Sequence, residues 1–254
     1  MGNIQFILSG NQQAAIFSIV SGYMSIYVVG SSKNNFMELD DGREKFLVDQ
    51  PHKGDNIDKL NPWYCELTAL YYMWKNSTAN IIGLEHYRRF FAVTSKEGWR
   101  RLTKQMANDM LDKADLIVTD FYHRRGYSAY QWFADSKYMT WLDAFATVLE
   151  DHKTNLGAQF INYLKGPKLV QCNMFIGKKP VIDLYCKDLF TFLHDYDEKV
   201  GLDESNLRID GYLAEHFFGF WLEIADVKLA KCDKLEMRFL KTGVKPGEKE
   251  RTIY

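Results

Sequence analysis

Asn80-Ile81-Ile82-Gly83-Leu84-Glu85-His86-Tyr87-Arg88-Arg89 is the stretch that decides the fold. Its short apolar, β-branched run predicts a buried strand over residues 80–84, which passes without a break into carboxylate, imidazole and guanidinium groups. Polar chemistry is thereby presented where a core strand ends. Towards the N-terminus, Asn61 and Pro62 open a helix, the first as cap and the second in the turn where its missing N–H costs nothing. Leu67, Leu70, Tyr71 and Trp74 then fall at i, i+3, i+4 and i+7, one face for packing on a sheet. Ahead of that helix, residues 33–60 are polar and read as a surface or lid loop with a weak strand near 46–48. Ser25-Ile26-Tyr27-Val28-Val29-Gly30 reads as the first strand, followed by a loop through Ser31 and Ser32. Towards the C-terminus, residues 98–112 read as an amphipathic helix and 114–119 as a third strand ending at Asp120. This alternation predicts an α/β fold, a Rossmann-type mainly parallel sheet flanked by helices, with ligands held outside the carboxyl ends of the strands.

Beyond Asp120, the aromatic-rich residues 127–164 read as two or more helices carrying Tyr130, Trp132, Phe133, Trp141 and Phe145. A strand is expected within residues 168–177, a helix after Pro180 to about Leu193, and a last strong helix over 209–224. The chain is organised as one domain over residues 24–240 with added C-terminal helices. Residues 1–23 form an N-terminal extension, with Met24 as an alternative start, and 241–254 a loose tail.

Lys and Arg total 32 against 33 Asp and Glu, so no global field draws the chain to nucleic acid or anionic lipid, and any polyanion site must be local. Cys65, Cys172, Cys186 and Cys232 form no metal-spaced cluster and read as reduced thiols of a cytoplasmic protein. The apolar stretches 4–8 and 14–20 are too short to span a bilayer.

Three blocks occur in order: Gly54-Asp55-Asn56-Ile57 with Asn61-Pro62-Trp63-Tyr64-Cys65-Glu66-Leu67; Ile82 to Phe91 around His86-Tyr87-Arg88-Arg89; and Cys172-Asn173-Met174-Phe175-Ile176 with Arg208, Gly211, Tyr212 and Glu215. Together they resemble the domain-of-unknown-function family 4422, associated with exopolysaccharide and capsular glycosyltransferases. The resemblance implies a GT-A-like fold holding a nucleotide sugar, with a carbohydrate or lipid-linked oligosaccharide as acceptor. Enzymes of that fold often place an Asp-x-Asp motif after a central strand to bind a divalent ion, and His86-Tyr87-Arg88-Arg89 occupies the corresponding strand end here instead. Two positions depart from the family pattern: the surroundings of Asp120, where a basic residue is expected, and His216, which stands in place of an Arg.

Arg88 and Arg89 could hold a donor diphosphate in bidentate fashion, which favours metal-independent transfer with Mn²⁺ or Mg²⁺ as alternatives. As an isolated pair they would be surface ion pairs. His86 is either a satisfied buried histidine or a ligand to phosphate or sugar. Gly30, Ser31 and Lys33 belong to the loop that would share the donor edge. Asp55 and Asn56 are turn formers or ribose ligands, and Glu66 complements a helix dipole, binds a donor hydroxyl or orients Arg88. Asn173 lies in an apolar run where its amide needs partners: a sugar hydroxyl, or a sheet-edge bond. Arg208 and Tyr212 are candidates for sugar binding. Glu215 is the preferred catalytic carboxylate, with Asp120 and Asp210 behind it. His123, Arg124 and Arg125 read as a solvated charge run or as contacts to a phosphate-bearing acceptor.

The favoured function is transfer of a hexose, galactose in pyranose or furanose form, from a UDP-linked donor to a glycan. The setting is the cytoplasm or, peripherally, the inner face of the cell membrane. Two alternatives stand beside it: transfer to modified DNA bases, disfavoured by the balanced charge, and glycan binding without turnover on the same fold.

Overall fold

The computed structural model describes residues 23–36, 38–40, 42–95, 98–119, 122–123, 126–170, 172–230 and 235–239. Strand β1 (Met24–Gly30) pairs in parallel with β2 (Arg43–Leu47) on one side and with β3 (Ile81–His86) on the other. Helices α1 (Asn61–Tyr64) and α2 (Leu67–Asn76) carry the chain from β2 to β3. After β3 the chain reverses through Tyr87 and Arg88 into β4 (Arg89–Ser95), which pairs with β5 (Gly98–Arg101). Thr103, accepting a hydrogen bond from Met106 N–H, caps α3 (Lys104–Leu111), which leads into β6 (Leu116–Val118).

A helical block follows. Between β7 (Tyr122–His123) and β8 (Lys168–Leu169), which pair with each other, lie α4 (Ala129–Ala134), α5 (Met139–His152) and α6 (Leu156–Lys165). Strand β9 (Phe175–Lys178) inserts antiparallel between β3 and β6. Then come α7 (Lys179–Val200), α8 (Ile209–Ile224) and β10 (Leu235–Phe239), the last antiparallel to β4. The eight-stranded sheet is mixed but mostly of one direction, with β4 and β9 running against β1, β2, β3, β5, β6 and β10, and helices cover both faces.

Alternation along the strands explains the two layers. Ile82 and Leu84 of β3 face the large core formed with α2 and α5 to α8, while Ile26, Ile81 and Ile176 face a smaller core closed by Ala107 and Leu111 of α3. Helix α8 is apolar on nearly every side, and Leu213, Phe217, Phe218 and Trp221 are all buried, so it forms the centre of the helical layer. Among the described residues no helix is long and apolar enough to cross a membrane.

The structure corrects three local expectations. The single helix opened by Asn61 breaks at Cys65, whose φ of 52° and ψ of −126° end α1 before α2 begins. Residues 98–101, read as helix, form β5 instead, because β4 offers them a free edge, and Thr103 delays the helix to Lys104. The strand expected across residues 168–177 is interrupted by Cys172 (φ 72°) and Asn173 (φ 49°). Asp120, Arg124, Arg125, Cys232 and the tail lie outside the described residues.

The polar loop before α1 also yields a full strand, β2, and buried charge explains why it was hard to see. Arg43 passes beneath β1 to Glu85 on β3, donating from Nε to Oε2 at 2.7 Å and from Nη2 to Oε1 at 2.9 Å, with both side chains fully buried. Glu85 also accepts from Phe91 N–H at 3.0 Å. Removing Glu85 leaves the buried Arg43, among the described residues, only Asp40 Oδ1 at 2.8 Å and the Leu102 carbonyl at 3.0 Å. Glu85→Ala should therefore destabilise the protein by about 3 kcal/mol, and joint replacement by Arg43→Met and Glu85→Leu should recover most of that loss. Urea unfolding of the three variants tests this, and a mild single-mutant effect would contradict it.

Candidate functional site

The end of β3 is a tight hairpin in which His86 pairs with Arg89 across the sheet. Arg88 at its tip is exposed, and Arg89 is partly buried. His86 Nε2 lies 2.7 Å from the carbonyl of Cys172. A carbonyl can only accept, so Nε2 carries the proton. Burial is the main force lowering the His86 pKa, aided by Arg89 and opposed by Glu66, Glu85 and the Cys172 carbonyl, so the ring is neutral near pH 7 and Nδ1 is left as an acceptor.

The left-handed pair Cys172–Asn173 brings three elements together. Cys172 gives its carbonyl to His86 and its N–H to the Glu215 carboxylate. Asn173, buried, donates from Nδ2 to Glu66 Oε1 at 2.8 Å and to the Gly211 carbonyl at 3.3 Å. Both partners are acceptors, which fixes the amide orientation and leaves Asn173 Oδ1 without a partner among the described residues. Glu66 precedes the first turn of α2, so its charge also faces that helix's positive end. Gly211 lets α8 approach this break, since a Cβ there would stand 3.3 Å from Cys65 Cβ and 3.4 Å from Cys65 Sγ.

Glu215 lies one turn further along α8. Burial first, and the Glu66 charge second, push its pKa to about 7, against the opposing pull of Cys172 N–H and Arg89. A carboxyl poised there can hold or accept a proton near neutrality. The structure thus brings Glu66, His86, Arg89, Asn173 and Glu215 together.

Gly30 and Ser31 adjoin this cluster through the pairing of Val29 with His86. Gly30 has no room for a side chain, because Phe36, Asn34 and Tyr87 close around it. Ser31 N–H is bound by Asn34 Oδ1 at 2.7 Å, and Lys33 is exposed on the same loop. Arg208 and Tyr212 form the outer rim of α8, the guanidinium 5.5 Å from the Tyr212 ring centroid.

Two predicted groups belong elsewhere. Asp55 is held by Asn76 at the C-terminal end of α2, through Asp55 N–H to Oδ1 and Asn76 Nδ2 to the Asp55 carbonyl. Asn56 binds the His52 and Gly54 carbonyls as a turn former. Ten helical residues, about 15 Å, separate that end from Glu66, so neither residue joins the cluster. Asp210 is fully buried, and among the described residues no other residue's amide or hydroxyl donates to its oxygens. Its neighbour is Asp197, which accepts from Tyr64 Oη at 2.6 Å. Burial and the Asp197 charge raise the Asp210 pKa, so Asp210 is a protonated interior acid that hydrogen-bonds Asp197, not a base at a cleft.

One Asp-x-Asp does occur, Asp195-Tyr196-Asp197, in the middle of α7. Residues two apart on a helix point to opposite flanks, and here Asp195 meets His152 Nε2 at 2.6 Å while Asp197 faces inward to Tyr64. They cannot chelate one ion.

Residues 13–226 match the family described as Domain of unknown function (DUF4422). The chain belongs to that family. Comparison with curated proteins finds no match. Among solved structures, the chain is similar to the apo form of the bifunctional glycosyltransferase WbbM, with a TM-score of 0.73 at 19% identity over 86% of this chain. It spans 45% of that chain's length. The likeness fixes the fold of this DUF4422 member as GT-A-like α/β.

The interior acids give a pH signature independent of any substrate. A carboxyl whose folded pKa is raised contributes stability fully present below its unfolded pKa and lost as pH rises through the folded one. Stability should therefore fall from pH 3.8 towards about 8, the span over which Asp210 titrates, and Asp210→Asn should flatten that fall. Urea midpoints across this range measure it, and an unchanged slope in the variant would refute the assignment.

Proposed function

We propose that this DUF4422 protein is a glycosyltransferase moving a hexose, galactose in pyranose or furanose form, from a UDP-linked donor to a glycan in capsule or exopolysaccharide synthesis. The observation that carries the reading is the convergence of His86, Arg89, Asn173, Glu66 and Glu215 at the carboxyl end of the central strand β3. That is where an α/β sheet of this kind holds a nucleotide.

In this reading the donor diphosphate lies against the Arg88–Arg89 turn. Glu215 takes the proton of the acceptor hydroxyl as its oxygen forms the bond to the anomeric carbon. The bond from that carbon to phosphate breaks, and its electron pair leaves with the diphosphate, stabilised by guanidinium charge. His86 Nδ1 and Asn173 Oδ1 are acceptors for donor-sugar or ribose hydroxyls. Glu66 orients Asn173, and Gly30, Ser31 and Lys33 line the nucleotide side.

A divalent ion of the sort common on this fold needs carboxylate oxygens free at the strand ends. Glu66 Oε1 is engaged by Asn173, and the Arg88–Arg89 turn supplies guanidinium charge for a diphosphate at the same strand end. The transfer proposed is metal-independent on that account. Asp120, outside the described residues, remains a second carboxylate candidate.

UDP-galactose should raise the melting temperature, and EDTA should leave the shift intact. Arg88→Ala should lose most of the shift while the unliganded protein melts as before, its side chain being exposed. Glu215→Gln should keep the shift but lower kcat by about 10²–10⁴-fold. Wild-type kcat/KM should climb as pH rises through about 7, where the base becomes ionised. Full turnover by Glu215→Gln would sink the mechanism.

A further inference from the structure

Three aromatic residues from separate segments meet beside Glu215. Trp132 of α4, Tyr138 in the turn before α5 and Tyr212 of α8 form a triangle, with ring centroids 5.4 Å apart for Trp132–Tyr212 and 5.6 Å for each of the other two pairs. All three are partly exposed, whereas the neighbouring Phe133, Phe145 and Phe217 are fully buried. Part of each ring of the triangle is therefore open to solvent and available to a ligand.

Cations edge the triangle. Arg208 stands 5.5 Å from the Tyr212 centroid and Lys137 5.3 Å from that of Tyr138. Flat apolar faces bordered by strong N–H donors suit a sugar ring, which presents a C–H face to the aromatics and hydroxyls to the cations.

Position supplies the rest of the argument. Tyr212 and Glu215 stand three residues apart on one flank of α8, and Arg208, the left-handed residue just before its first turn, reaches the Tyr212 ring. Tyr212 precedes Glu215 by about 4.5 Å of helix rise, close to the breadth of one sugar ring. A ring laid on the triangle would place a hydroxyl at the Glu215 carboxyl.

We infer that Trp132, Tyr138 and Tyr212, edged by Arg208 and Lys137, form the subsite for a sugar ring of the acceptor glycan. The inference rests on the glycosyltransferase reading above, and the test separates the two.

The probes are the octyl β-glycosides of galactose, glucose, mannose and N-acetylglucosamine, titrated by calorimetry into the full chain saturated with UDP. At least one should bind. Trp132→Ala and Tyr212→Ala should each weaken that glycoside about tenfold, while Tyr212→Phe, which keeps the ring, stays within about twofold of wild type. The UDP-galactose melting shift should be unchanged in every variant, and Trp132→Phe provides a second ring-preserving control should an alanine variant fold poorly. Three results would overturn the subsite: no glycoside binding by wild type, binding unchanged in both alanine variants, or loss of the UDP-galactose shift on removing a ring, which would give the triangle to the donor. If wild type shows ring-dependent glycoside binding but no UDP-sugar shift or turnover, the subsite stands as a glycan site and the transferase reading falls instead.

Discussion

The site hangs from a backbone conformation that side chains normally avoid. Cys172 and Asn173 are consecutive non-glycine residues with positive φ, and each such residue costs on the order of 1–3 kcal/mol and persists only where its surroundings over-determine it. Here they do. One carbonyl fixes the tautomer of His86, one N–H holds Glu215, and one amide ties Glu66 to Gly211. The turn joins the end of β3, the start of α2 and the first turns of α8, segments more than a hundred residues apart at the extremes. A strand running straight through residues 172 and 173 would put Asn173 in a ladder and release all of them.

Buried acids elsewhere clarify what is particular about Glu215. Glu85 is fully enclosed but faces Arg43, an opposite charge in bidentate contact, and so serves the sheet. Asp210 is enclosed against another acid, so it keeps its proton and closes α8 against α7. Glu215 lies between these cases, with a like charge, Glu66, and an opposite one, Arg89, both acting on it. Burial is the larger force raising its proton affinity towards neutrality, Glu66 adds to it, and Arg89 restrains it. A diphosphate adding negative charge to the Arg89 side would weaken that restraint.

How legible all this was in the sequence depended on whether the deciding interaction was local. Strand β1, the end of β3 and the whole of α8 could be read from periodicity and composition, because apolar runs bounded by polar groups set them. The break at Cys65 could not, since it answers to α8 pressing through Gly211, a contact nearly 150 residues away. The amphipathic pattern of β5 fits either period in sequence, and only the free edge of β4 makes it a strand. Asn173 offered a signal: Asn tolerates the left-handed region better than most residues, yet its apolar neighbours read as strand. Asp55 and Asn56 have the composition of ligands and of turns alike, and only the position of Asn76 assigns them to the turn.

Helix α8 orders the site by its own periodicity. Its inward positions, Ile209, Asp210, Leu213, Phe217 and Trp221, are buried in the core, and its outward flank bears Tyr212 and Glu215, with Arg208 just before its first turn. Rotating the helix by a fraction of a turn would expose core aromatics and withdraw the carboxyl together, so packing and chemistry constrain the same degree of freedom. Gly211 and Gly219 remove the side chains that would hold α8 away from Cys65 and Tyr163. The depth at which Glu215 is shielded, and with it the elevation of its pKa, is therefore set by how closely this helix can approach its neighbours.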